Sequence, residues 1–329
     1  MPTTIGMYEK GYDLVGERLM ALGLDVVVHT FDKDGRFLVE GERVAPDAVD
    51  LDYLWLNQSI TSDGVMEPVF DAMLTCRSLK VMQTFNAGLD HAFYKHMSAR
   101  GIRICNSSAQ GVAIAEYTMA QVLSAVHPIE EQRRMQAARQ WKITPFRELS
   151  QMRWLIVGFG PIGREIAKRL KAFGSKVTVV RRTPDASDLA DAVGTSADLP
   201  RLLPEADVVV IACPLNAETR GMADAGFFAA MKEGAILVNI ARGGLVEDAA
   251  LLAALDKNRP ALAILDVFHE EPLPSGNPFW SHPKVRMTSH TSFAGSGVRD
   301  RWHQLFLDNI QRFVKGRPLL NEVDPRSFG

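Results

Sequence analysis

The chain has 329 residues, a formal charge of −2, 47% hydrophobic and 23% charged residues. That length accommodates two domains of ordinary size. The balance is that of a soluble globular protein, with no charge excess for a nucleic-acid or anionic-membrane partner. Residues 1–6 lack a basic region followed by an apolar one, and no apolar run is long enough to span a bilayer, so neither signal peptide nor membrane span is expected. Cys76, Cys105 and Cys213 are far apart and form no C-x-x-C, which argues against a disulfide framework or a cysteine metal site. Each reads as a small core residue, and a reducing cytoplasm is the expected compartment.

Strand and helix signals alternate in the first third. Residues 25–30 and 51–56 predict strands, 65–76 a helix, 79–84 a strand, 91–99 a short helix and 102–105 another strand. Such alternation predicts a parallel sheet with helices on its faces. A helix over 112–126 follows, with Ile114, Tyr117, Met119, Val122, Leu123 and Val126 as its apolar positions. Pro128 ends or kinks it, and residues 130–140 predict a polar helix leading to Trp141, a packing or dimer residue.

Residues 155–157 are a short apolar run, followed by Gly158-Phe159-Gly160-Pro161-Ile162-Gly163 and an amphipathic helix to Gly174. This is the G-x-G-x-x-G spacing between a strand and a helix. The first glycine permits a tight turn, the second lets a pyrophosphate approach the backbone, and the third lets helix and strand pack closely. Free N–H groups at the helix start then face the phosphates. Residues 176–180 predict the next strand. An NAD-preferring site usually places Asp or Glu at its end, to hold a ribose hydroxyl. This chain has Arg181-Arg182-Thr183, which reads either as a basic, solvated loop or as two guanidiniums suited to a 2′-phosphate; its place in the motif favours the second, so NADPH is expected over NADH.

Beyond it, 206–212, 235–240, 261–267 and 285–288 predict strands, and 224–231, 246–255 and 298–314 predict helices; 316–323 reads as ordered but irregular. The dinucleotide unit therefore sits mid-chain. The expected fold is α/β with two domains. A Rossmann domain, residues 101–294, is inserted in a flavodoxin-like catalytic domain formed by 1–100 and 295–329. Ligands in such sheets bind beyond the carboxyl ends of the strands.

Three polar residues fall just past strand ends: Arg242, Glu271 and His290. Hydride addition to a ketone leaves charge on oxygen, which His290 as imidazolium can quench with a proton. Glu271, hydrogen-bonded to His290, would favour the charged ring, and Arg242 would bind a substrate carboxylate and polarise the adjacent carbonyl. Each has a plain alternative: a surface histidine among eight, a surface arginine, an acidic loop shared with Glu270. His91, His96, His127, His269, His282 and His303 mostly take that surface reading. Spacing alone does not choose.

The ordered set of segments does. Residues 87–90, 115–117, 158–163, 213–221, 239–243, 265–268, 271–274 and His290 resemble the D-isomer-specific 2-hydroxyacid dehydrogenase family, over about residues 81–323. The resemblance implies an Arg242–Glu271–His290 catalytic set. It implies substrate binding by Asn86, Ala87 and Gly88, with the backbone N–H groups of Ala87 and Gly88 helping to hold the substrate carboxylate. It implies that Asp266 holds the nicotinamide carboxamide and that Cys213, Pro214, Ile240 and Ala241 lie along the cofactor. Arg181, Arg182 and Thr183 resemble the phosphate-binding triplet of the NADPH-using glyoxylate/hydroxypyruvate reductase branch. Ser289 stands where proline is usual, and Ser292-Phe293-Ala294 replaces a glycine-rich run. The implied protein is a homodimeric reductase of a small 2-oxo acid. A corepressor on the same fold, or a dehydrogenase of another small oxyanion, are the alternatives.

Overall fold

The structure, a computed structural model, describes residues 1–328. The chain divides into two units: Met1–Ala109 with the segment beginning at Ser296, and Gln110–Gly295. Among the described residues no helix is long and apolar enough to cross a membrane.

The first unit begins with strand β1 (Thr3–Tyr8) and helix α1 (Glu9–Met20), neither expected from the sequence. Strands β2 (Val26–Phe31), β3 (Phe37–Val39), β4 (Glu42–Val44) and β5 (Tyr53–Leu56) follow. After helices α2 (Ser59–Ser62) and α3 (Met66–Met73) come β6 (Val81–Thr84), α4 (Ala92–Ala99) and β7 (Arg103–Cys105). The sheet order is β4-β3-β2-β1-β5-β6-β7. Without the antiparallel β3–β4 hairpin this is a parallel sheet of order 2-1-3-4-5, the flavodoxin-like arrangement. Residues 101–109, expected in the dinucleotide domain, belong here instead, because β7 pairs with β6 as the sheet's edge.

The second unit opens with α5 (Gly111–Val126) and α6 (Ile129–Ala137). Then β8 (Arg153–Val157), α7 (Pro161–Ala172), β9 (Lys176–Val180), β10 (Ala192–Gly194), α8 (Leu199–Leu202) and β11 (Val208–Ile211) follow in turn. The unit closes with α9 (Ala225–Ala230), β12 (Ile236–Asn239), α10 (Asp248–Asp256), β13 (Leu262–Leu265) and β14 (Val285–Met287). Its seven strands are all parallel, in the order β10-β9-β8-β11-β12-β13-β14. This is the doubly wound 3-2-1-4-5-6 order with one more strand.

Period-2 alternation explains its layers. Leu155, Val157, Val209, Ile211, Leu237 and Leu265 face one core with α9 and α10. Trp154, Ile156, Val208, Val210, Val238 and Ile264 face the other, with Ile114, Met119 and Val122 of α5 and Ile166 and Leu170 of α7. Strands buried on both faces need apolar residues at every position, which is why they read as continuous runs.

The chain then returns to the first unit as α11 (Val298–Val314). Phe306, Leu307 and Ile310 join Ile5, Val15, Tyr53, Trp55 and Val81 in one core, with Phe306 stacked 4.2 Å from Trp55. His303 lies in this unit as well. It is buried, with its ring edge-on to Trp55, not at the surface as expected. Past α11, the Val323 N–H donates to the carbonyl of Ile104, tying the tail to β7.

Candidate active site

The glycine turn joins β8 to α7. Gly158 has φ +106, and a Cβ there would lie 2.5 Å from the backbone of Ala212 and Cys213. A Cβ on Gly163 would lie 2.2 Å from the carbonyl oxygen of Gly158, so close packing of helix on strand requires glycine. Gly160 differs. Nothing lies within 4 Å of its Cβ position, so that space is open to a ligand approaching the start of α7. Pro161, at the first helical position, removes an N–H that would have no helical partner. Phe159 is buried, and the Arg164 guanidinium sits 5.4 Å from its ring centroid.

The loops on either side leave the same sheet end. Arg181, Arg182 and Thr183 follow β9. Arg182 and Thr183 are exposed, while Arg181 is half-buried and 3.8 Å from Asp185. That carboxylate is itself 67% exposed, so the pair is weak and Arg181 is available to a stronger anion. Cys213 and Pro214 follow β11. Burial pushes the Cys213 thiol up to about 11, so it is a neutral wall residue. Ile240 and Ala241 follow β12 and are buried. Asn239, whose side chain donates to the Arg242 carbonyl and accepts from the Ala241 N–H, staples that loop. The signals for it were its place at a strand end within the 239–243 segment and the habit of asparagine to bond its own backbone two residues on.

Arg242, Glu271 and His290 follow β12, β13 and β14, three adjacent strands, and so share one rim. Gly243 makes this possible: a Cβ there would sit 2.0 Å from the Phe268 backbone, so the loops after β12 and β13 press together. Glu271 uses both oxygens. Oε1 accepts from the Phe268 N–H at 2.8 Å, and Oε2 lies 2.7 Å from Nδ1 of His290. Both side chains are over a third exposed, so the pair is open to a ligand. His269 makes a different contact, with its Nε2 2.7 Å from the Val246 carbonyl. Arg242 is half-buried, with Nη1 donating to the Ala241 carbonyl at 2.7 Å.

Asp266 is fully buried and builds the loop that carries His290. Its Oδ1 accepts from Thr288 Oγ1 at 2.5 Å and from the Thr291 N–H at 2.9 Å. Its Oδ2 accepts from the Ser292 N–H at 3.0 Å, and its carbonyl accepts from the His290 N–H at 2.8 Å. His290 is thereby held at φ +49, a left-handed backbone uncommon outside glycine. The Tyr117 hydroxyl lies 2.7 Å from Thr288 Oγ1. Tyr117 counts among the apolar positions of α5 in the sequence, and no spacing rule connects it to residue 288.

In the first unit, the loop after β6 is fastened by its carbonyls. Trp302 Nε1 donates to Phe85, the Ser107 N–H to Asn86, and Asn106 Nδ2 to Ala87. Asn86 Nδ2 donates to the Tyr94 hydroxyl. Asn86, Ala87 and Gly88 are partly exposed at the end of their strand.

The family model for the D-isomer specific 2-hydroxyacid dehydrogenase NAD binding domain matches residues 119–292. The chain is 31% identical over 264 residues to a D-3-phosphoglycerate dehydrogenase of Bacillus subtilis, covering 79% of this chain and 49% of that enzyme. It thus spans about half the length of the phosphoglycerate dehydrogenases it matches. It is 29% identical over 277 residues to the human glyoxylate reductase/hydroxypyruvate reductase, covering 80% of this chain and 82% of that one. A solved D-isomer specific 2-hydroxyacid dehydrogenase from Xanthobacter autotrophicus Py2, in complex with NADPH and MES, superposes with a TM-score of 0.79 at 27% identity, covering 100% of both chains.

Proposed function

The chain belongs to the D-isomer specific 2-hydroxyacid dehydrogenase family, and on that premise we propose that it reduces a small 2-oxo acid, of the glyoxylate or hydroxypyruvate kind, to the D-2-hydroxy acid with NADPH. The observation carrying this reading is the 2.7 Å contact between His290 Nδ1 and Glu271 Oε2, on the strand-end rim of the sheet that bears the glycine turn. With Glu271 accepting from Nδ1–H, the proton available to substrate is on Nε2. Reduction places a hydride on the carbonyl carbon, and the oxygen takes its proton from that nitrogen. Glu271 fixes the ring's tautomer and offsets the charge of its protonated form. Arg242 grips the substrate carboxylate and polarises the carbonyl beside it.

When bound, the nicotinamide supplies the hydride. The residues proposed to hold the dinucleotide are the turn from Gly158 to Gly163, the loop residues Cys213, Pro214, Ile240 and Ala241, and Asp266. The open space at Gly160 supports this. The preference for the 2′-phosphate rests on Arg181, Arg182 and Thr183, which stand where an NAD-preferring site usually ends its strand with a carboxylate; the nearby Asp185 is exposed and only weakly paired with Arg181. For the loop of Asn86, Ala87 and Gly88 we propose substrate-carboxylate binding, on the chemistry of backbone N–H groups alone. The same reading takes the protein to be a cytoplasmic homodimer. For the homodimer, the support is the run of Trp141, Ile143 and Phe146, which are 102%, 88% and 52% exposed in the single chain.

The purified protein should oxidise NADPH only when a 2-oxo acid is added. Full turnover by His290→Ala would remove the proposed proton donor. Replacing Arg181 and Arg182 with Ala should raise KM for NADPH about tenfold or more, with KM for NADH little changed. An equal effect on both cofactors would count against the 2′-phosphate argument. A monomeric mass by light scattering would dispose of the dimer.

A further inference from the structure

We propose that Tyr117 is a positioning residue for the reaction: through Thr288 and Asp266 it holds the loop that presents His290. The inference rests on the reading of His290 as proton donor.

The direction of the bonds is fixed by the hydroxyl protons. Thr288 Oγ1 donates its one proton to Asp266 Oδ1 at 2.5 Å. At its 2.7 Å contact with Tyr117 it can therefore only accept, so the phenol donates. Burial raises the tyrosine's pKa, so the phenol keeps the proton this needs. The result is a directed row, from the Tyr117 O–H to the Thr288 O–H to the Asp266 carboxylate. Asp266 then accepts from the N–H groups of Thr291 and Ser292 and, through its carbonyl, from that of His290.

A left-handed residue persists only where its surroundings over-determine it. Here one buried aspartate makes four bonds to residues 288–292, three of them to backbone N–H groups. Glu271 adds the contact to the ring of His290 itself. Tyr117 holds the Thr288 hydroxyl that donates to this carboxylate. It sits on α5, whose neighbours Ile114, Met119 and Val122 are embedded in the sheet's core. The loop is thus tied, through Thr288 and Asp266, to a helix packed in the core. Misplacement of a proton donor by about an ångström can cost two orders of magnitude in rate.

The test uses Tyr117→Phe, Thr288→Val, the pair together, and Thr288→Ser. Turnover is measured alongside amide hydrogen exchange at Thr291 and Ser292. Y117F and T288V should lower kcat about five- to tenfold with KM for the 2-oxo acid within about twofold, and should speed exchange at both amides. T288S, which keeps the hydroxyl, should restore kcat. The double variant should be no worse than T288V, because Tyr117 acts only through that hydroxyl. Unchanged exchange in Y117F overturns the proposal, as does faster exchange with full kcat, or losses that multiply in the double variant. If the parent protein reduces no 2-oxo acid, the functional reading fails separately, and the exchange rates still decide whether Tyr117 holds the loop.

Discussion

His290 is both the proposed acid and a residue at φ +49. Asparagine tolerates that region and alanine does not, so the two replacements separate chemistry from backbone. Both should lower kcat about a hundredfold or more, while His290→Ala should unfold about 1 kcal/mol more easily than His290→Asn in urea. Equal stabilities would show that the loop relaxes. At the opposite end of the strands, Asp207 is only 3% exposed. Burial alone would raise its pKa, but Lys232, the Arg153 N–H and Arg147 together outweigh it and hold it below the ordinary carboxylate value. A depressed folded value means that this stabilisation is complete above the unfolded pKa and disappears as pH falls through the folded one. Asp207→Asn should therefore lose about 2 kcal/mol at neutral pH, with the gap closing below about pH 4; a constant gap across pH would refute it. At this scale the sequence conveyed residue types with an obvious chemistry, and Glu271 does meet His290. It did not convey the contact of Tyr117 with Thr288, 171 residues away, which no local pattern encodes; Asn239 bonds its own loop two and three residues on, inside a segment the sequence did single out.

Among elements, the strands with continuous apolar runs were legible, because burial on both faces leaves no room for polar residues. Strand β1 was not, although it lies at the centre of its sheet. Gly6 interrupts it, and the gap is filled from outside, with Leu51 and Phe37 each 3.0 Å from the missing Cβ. The β3–β4 hairpin escaped for a related reason. Its turn, Glu40-Gly41, has both residues at positive φ, the type I′ geometry usually announced by Asn-Gly or Asp-Gly. The glycine turn yields a sharper test. Gly163→Ala should cost about 2–4 kcal/mol of stability, since its Cβ meets backbone. Gly160→Ala, in open space at φ −76, should melt like the parent and lose at least about tenfold in NADPH affinity by fluorescence titration. A stable, tight-binding G160A would mean that the open space is not where the pyrophosphate lies.

For the whole molecule, the insertion of one unit within another was legible from the mid-chain position of the glycine turn. The first crossing falls later than the sequence suggested: the strand over 102–105 was legible, but its pairing with β6, which puts it in the first unit, was not. The first unit's core depends on α11: Phe306 is fully buried and stacked on Trp55. Phe306→Ala should cost about 3–5 kcal/mol and expose amides of β1 and β5 to exchange, leaving those of β8 and β11 protected; uniform exposure would contradict it. The same arrangement sets a timetable during synthesis. Roughly 190 residues of the second unit separate Ala109 from Ser296, which at about 5–20 residues per second is on the order of ten to forty seconds of translation. Throughout that interval β1, β5 and β6 have emerged without the helix that covers them. The unit translated second can complete its core first, while the one translated first must wait, with its apolar strands open to chaperones and proteases.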